Sequence, residues 1–269
     1  MDLKALDETP AFDWPQDADK KILKVLHDDR ADHSDRLLAA RLAGRSVVIN
    51  DKVADSLLSV VANAEEDGLL RACAATSLGP ILQYADEEGF DDFGEPRITE
   101  DTFDKLEESL QGIYVDTDNP KLVRRRVLEA TVRSPQDWHQ EAIRSADLHN
   151  DPDWQLTAVF CMGWVDGFDG QILEALDSDD AAIHREAVCA AGEQGLDQAW
   201  PHIVGLVSAE DTDKDLLLTA IFAVANIRWD EAAEALDHLT ETEDEDIRDA
   251  VAEALVITEG IFADGEELF

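Results

Sequence analysis

Side chains that could do chemistry are scattered along this chain, and each cluster lacks part of what its chemistry requires. His27-Asp28-Asp29 with Asp32-His33 places two imidazoles beside three carboxylates, the ingredients of a cation site. Their spacing matches no zinc signature, and the segment reads as a solvated polar turn. Asp211-Thr212-Asp213-Lys214-Asp215 opens like a calcium loop but lacks the required glycine and distal glutamate. Cys73, Cys161 and Cys189 fall at no metal-binding or redox spacing, so reduced thiols packed as small residues are expected. His139, His149, His184, His202 and His238 form no nucleophile or acid-base constellation legible in the sequence. The expectation is a non-enzymatic protein with no catalytic residue, no metal and no cofactor.

Basic and aromatic residues offer binding chemistry instead. Arg124-Arg125-Arg126 is the only basic triplet; Arg124 should pair with a nearby acidic turn, and Arg125 or Arg126 could reach a carboxylate or phosphate. Of the six tryptophans, Trp154 and those near helix starts, Trp138, Trp200 and Trp229, read as packing between helices, and Trp164 is the least constrained.

The elements that must position these residues come from a recurring ten-residue motif. Ile183-His184-Arg185-Glu186-Ala187-Val188-Cys189-Ala190-Ala191-Gly192 has copies beginning at Asp35, Leu70, Val123, Trp154, Leu216 and Ile247. The third copy, ending at Val132, lacks the closing glycine, so its helix should end differently. Asp118-Asn119-Pro120, Asp151-Pro152, Ser178-Asp179-Asp180 and Asp244-Glu245-Asp246 precede copies as helix-starting turns, since Asp and Asn cap, proline suits the first turn and negative charge favours the N-terminus. Apolar partner segments lie between copies, and Thr99 should cap one carrying Phe103, Leu106, Leu110 and Ile113 inward. The repeating unit is helix, turn, helix.

The acidic or Asn-Pro turns, apolar-arginine start, paired alanines and closing glycine resemble HEAT repeats, especially the short phycobilisome-lyase-like variety, over roughly residues 30 to 260. The resemblance implies an all-α, right-handed α-solenoid of about seven helix-turn-helix HEAT-like repeats, motif helices forming the inner, concave layer. Residues 1–29 would be an N-terminal arm and capping helix, with Phe12 and Trp14 as the arm's anchors. Residues 30–269 would form the solenoid, with an acidic insertion around 85–98. The family's arginine at the second motif position is matched by Arg36, Arg71, Arg124 and Arg248, and missing at Gln155, His184 and Leu217. An Asp-Arg ladder should therefore be interrupted in the middle of the array. The resemblance also offers an alternative function, handling a tetrapyrrole or lyase-like chemistry.

Charge narrows the partner. The 62 Asp and Glu outnumber 22 Lys and Arg, giving a net charge of -40. Phosphate-backbone binding needs clustered bases, so nucleic acid is disfavoured. Adaptation to concentrated salt is the preferred explanation of the charge, and a basic partner is the competing one. Met1 to Glu8 contains no signal-peptide core and no stretch approaches a membrane span, so a cytoplasmic location is expected.

At 100° per residue, motif positions one, five, six, eight and nine face the core, and positions three and seven form a stripe opposite it. Arg125, Leu156, Phe160, Arg185, Leu218 and Phe222 belong to that stripe. Aromatic and arginine side chains together suit a partner anchor. The expected function is a scaffold that binds a protein or peptide segment, with apolar and acidic side chains, along the concave face.

Overall fold

A computed structural model describes residues 2–45, 48–90 and 97–266, with side chains through Val256. The chain divides into two compact units, Met1–His139 and Gln140–Phe269. In the first, α1 (Leu3–Asp7) leads into α2 (Ala18–Leu26), α3 (His33–Ala43), α4 (Asp51–Ala62), α5 (Gly68–Glu88), α6 (Glu100–Val115) and α7 (Lys121–Thr131). α8 (Asp137–Asp147) spans the division. The second contains α9 (Pro152–Met162), α10 (Asp169–Ala175), α11 (Ala181–Glu193), α12 (Trp200–Ser208), α13 (Lys214–Ile227), α14 (Ala232–Leu236) and α15 (Glu245–Glu266). No strand occurs among the described residues, and none of their helices is long and apolar enough to cross a membrane.

Each motif copy lies on one odd-numbered helix from α3 to α15. Within the first unit α3, α5 and α7 stack in chain order, backed by α2, α4 and α6; within the second α9, α11, α13 and α15 stack likewise, with α10, α12 and α14 behind. Each unit is thus a run of an α-solenoid, in which a repeat packs mainly on its chain neighbours. The helical wheel explains the layering. Positions one, five, six, eight and nine are all buried in the copies on α5, α7, α9 and α11, as in Trp154, Ala158, Val159, Cys161 and Met162. Caps follow the acidic turns: Asp180 accepts from the Ala182 and Ile183 amides, and Thr99 accepts from Thr102. Phe103, Leu106 and Leu110 are buried, whereas Ile113 is half-buried and Tyr114 takes the inward place.

The motif glycine sets the spacing of the stack. A Cβ on Gly192 would lie 2.9 Å from Ala223 Cα, and one on Gly163 3.3 Å from Ala190 Cα. Gly44 meets the Ser77 carbonyl at 2.6 Å, whereas Gly79 meets the flexible Arg133 side chain at 2.8 Å and Ala130 Cα only at 3.4 Å. Position ten of one copy therefore faces small position eight of the next. None of these four has a positive φ, so at Gly44 and Gly192 it is contact between helices, and not a left-handed cap, that requires glycine. α5 accordingly runs through Gly79 and Pro80 to Glu88, absorbing the start of the expected insertion; residues 91–96 lie outside the described residues. The copy ending in Val132 is the last in the first unit.

The N-terminal arm is anchored differently from the expectation. Leu3 and Leu6 are buried, while Phe12 is 82% exposed. Trp14 is half-buried and donates its indole N–H to the carbonyls of Leu6 and Thr9, which ties the arm together. Apolar periodicity over only five residues of α1 is too short to announce a helix.

Candidate functional site: the stripe on α9, α11 and α13

Of the six residues expected on the recognition stripe, five come together in one unit. Leu156 and Phe160 lie on α9, Arg185 on α11, Leu218 and Phe222 on α13. The four apolar side chains are half-buried and Arg185 is exposed, so they present surface without leaving the fold. Phe160 stands 6.4 Å, centroid to centroid, from Trp164, which extends the aromatic surface beyond α9.

Arg125 departs from the expectation: it is only 4% exposed, and Glu129, one turn later on the same face of α7, is buried as well. A helical wheel gives the direction of a side chain but not what neighbouring structure covers it. Glu129 also receives a contact from Arg126. Arg125 is therefore no part of an open stripe.

Between α11 and α13 the stripe opens into a recess of about 330 Å³, lined by Cys189, Gly192, Glu193, Leu218, Thr219, Phe222, Ala223 and Asn226. Gly192 and Ala223, two small residues that let the helix backbones approach closely, line it together with the larger Leu218 and Phe222. Asn226, Thr219 and Glu193 were not singled out from sequence, although Cys189, Gly192 and Glu193 at helical spacing could have signalled a shared face. Surrounding protein, then Glu186 and Glu193, push the Cys189 thiol up to about 11. It contributes a small neutral surface, not a nucleophile. Arg185 has Asp215 within 3.9 Å, which offsets its charge, and Glu193 is the charged residue lining the recess itself.

The position-two residues form a second arrangement. Arg36 donates Nε–H to the Leu26 carbonyl and forks onto Glu66, at 2.5 and 3.0 Å. Arg71, only 3% exposed, donates to the Val61 carbonyl and to Asn119. Arg124 Nε–H donates to the Tyr114 carbonyl. Each guanidinium thus seals the end of the partner helix before it, and the first two also hold the turn of the next repeat. In the second unit His184 instead meets His202 on α12, Nε2 to Nε2, at 2.9 Å.

The other clusters have local structural uses. Asp213 caps α13, and Lys214 bridges Asp244 and Asp246 of the following turn. His33 lies 3.6 Å from Asp67. Among the described residues, no group of three His, Cys, Asp or Glu side chains is arranged to hold a metal ion.

No family model matches the chain, and a search of curated proteins finds no relative. Among solved structures, the chain is similar to YibA of Escherichia coli, at 16% identity and a TM-score of 0.45, covering 94% of this chain and 90% of the other. Human deoxyhypusine hydroxylase in complex with glycerol gives 16% and 0.42, covering 96% and 88%. A designed armadillo repeat protein gives 14% and 0.32, covering 88% and 98%.

Proposed function

We propose that this protein is a non-enzymatic scaffold that binds a polypeptide segment along the open side of α9, α11 and α13. The supporting observation is the recess between Leu218, Phe222 and Cys189. Its apolar walls suit one large apolar side chain, and the repeat core fixes those walls before binding, which lowers the ordering cost. Glu193, in a chain of net charge -40, favours a segment whose apolar anchor is flanked by basic residues. This replaces the acidic side chains expected from the arginines with basic ones, because Arg125 is covered and Arg185 already has an acidic neighbour.

A displayed random-peptide library panned on the protein at high salt tests this reading. Enriched peptides should share an aromatic or large aliphatic anchor with Lys or Arg beside it. They should lose at least about tenfold in affinity for Phe222→Asp, the loss of one buried anchor contact, while circular dichroism shows intact helix. Peptides that bind the variant and the parent equally would exclude the recess.

A further inference from the structure

A second recess of about 420 Å³ lies in the second unit, where the arginine ladder is interrupted. Its lining includes Asp147 at the end of α8, Gln155 on α9, Gln171 and Glu174 on α10, and Ser178 in the turn before α11. These are the three places that a position-two arginine joins in the first unit: the end of the preceding partner helix, the motif helix itself and the turn of the next repeat. Arg36 reaches Leu26 and Glu66, and Arg71 reaches Val61 and Asn119, along this same route. Gln155 occupies the arginine position but is too short and uncharged to repeat it.

Two carboxylates are left facing the space. Among the described residues neither Asp147 nor Glu174 has an ion-pair partner. Burial, followed by the charge of Glu174, raises the Asp147 pKa, as expected of a carboxylate beside a like charge with no cation between them. A planar guanidinium would meet both needs. It can donate to two carboxylates at once and to the carbonyls that end a helix, and it is more weakly hydrated than an ammonium ion.

We propose that the recess bounded by Asp147, Gln155, Glu174 and Ser178 binds an arginine side chain presented by a partner polypeptide, supplying from outside the guanidinium that the chain itself supplies in its first unit. The residues differ from those of the recess between α11 and α13, so this site stands or falls separately from that reading.

The test uses the full chain in molar potassium chloride, with N-acetyl-arginine methylamide as probe and amide chemical shifts as readout. Saturable shifts should centre on Asp147, Gln155, Glu174 and Ser178. Asp147→Asn and Glu174→Gln should each weaken binding about tenfold, as expected on losing one charge-assisted hydrogen bond of a fork. Gln155→Arg is the decisive variant: its own guanidinium should fill the space, raise the unfolding midpoint and abolish the probe's shifts. Undiminished binding to folded Gln155→Arg would overturn the proposal. So would equal binding of N-acetyl-lysine methylamide, which would reveal only general attraction of cations, or equal binding of the bare guanidinium ion, which would point to a free ion.

Discussion

His184 and His202 meet tip to tip across neighbouring repeats, their Nε2 atoms 2.9 Å apart and their rings nearly perpendicular at 85°. One ring must donate its N–H to the lone pair of the other, so the contact tolerates one proton between the facing nitrogens but not two. Burial, then the charge of His202, hold His184 below the usual histidine pKa, against the opposing influence of Asp177. The stabilisation is complete above the unfolded value of about 6.5 and is lost as pH falls through the lowered folded value. His202→Gln should bring the His184 titration, followed by its ring-proton shifts, back toward the ordinary value. An unchanged titration would remove the pair as the cause.

His139 provides a stronger pH response. Its Nδ1 accepts from the Gln136 amide at 2.8 Å, and its Nε2 lies 3.0 Å from Thr131 Oγ1. The Thr131 hydroxyl donates to the Val127 carbonyl, so Nε2 must carry the imidazole proton. Burial pushes the pKa down to about 4, because a second proton would charge a fully buried ring. Stability from this neutral ring is complete above about 6.5 and falls toward pH 4, by on the order of 3 kcal/mol. Urea midpoints measured between pH 7 and 4.5 should fall less steeply for His139→Gln than for the parent. Parallel curves would count against this assignment.

Arg71 should tolerate neither truncation nor exchange for lysine. Alanine leaves the Val61 carbonyl and Asn119 without their buried donor, at a cost of about 2–4 kcal/mol. Lysine restores the charge but cannot donate in two directions from one rigid plane, so it should recover less than half of that loss. Chemical unfolding of both variants gives the comparison, and full recovery by lysine would show that charge alone matters.

The close contact at the α11–α13 recess distinguishes two kinds of glycine. Gly192→Ala would drive its Cβ to 2.9 Å from Ala223 Cα and 3.0 Å from its Cβ, costing about 1–3 kcal/mol by overpacking. Gly170 sits in α10 with nothing within 4 Å of an added Cβ, and Gly170→Ala should stabilise by about 0.5–1 kcal/mol through helix propensity. Opposite signs in thermal unfolding are the expected result; equal effects would deny that the motif glycine sets helix spacing.

Periodicity made the motif helices and their buried positions legible, because burial on a helix repeats with the angle between residues. It also placed Phe160 and Phe222 on a common stripe. The same reasoning misjudged Arg125, whose covering depends on neighbours that a single helix does not encode. It identified Gln155 and His184 as breaks in the arginine pattern without revealing their consequences. The recess beside Gln155 and the His184–His202 contact both depend on which residues of the next repeat face the break, and that pairing is visible only in three dimensions.

Salt response follows from the excess of carboxylates rather than from any single pair. Lys214 bridges Asp244 and Asp246, and Arg228 lies between Asp197 and Glu231, but such surface pairs contribute little individually. Against them stands the mutual repulsion of a chain with net charge -40. Added salt weakens both effects, and the repulsion is the larger because each cation has almost three carboxylates to offset. Raising potassium chloride from 0.1 M to 1 M shortens the screening length from about 10 Å to about 3 Å. The thermal midpoint should therefore rise across that range, and rise less in a variant with several exposed Asp residues replaced by Asn. A midpoint that stays flat or falls with salt would mean that the ion pairs outweigh the repulsion, removing the physical basis for reading this surface as adapted to concentrated salt.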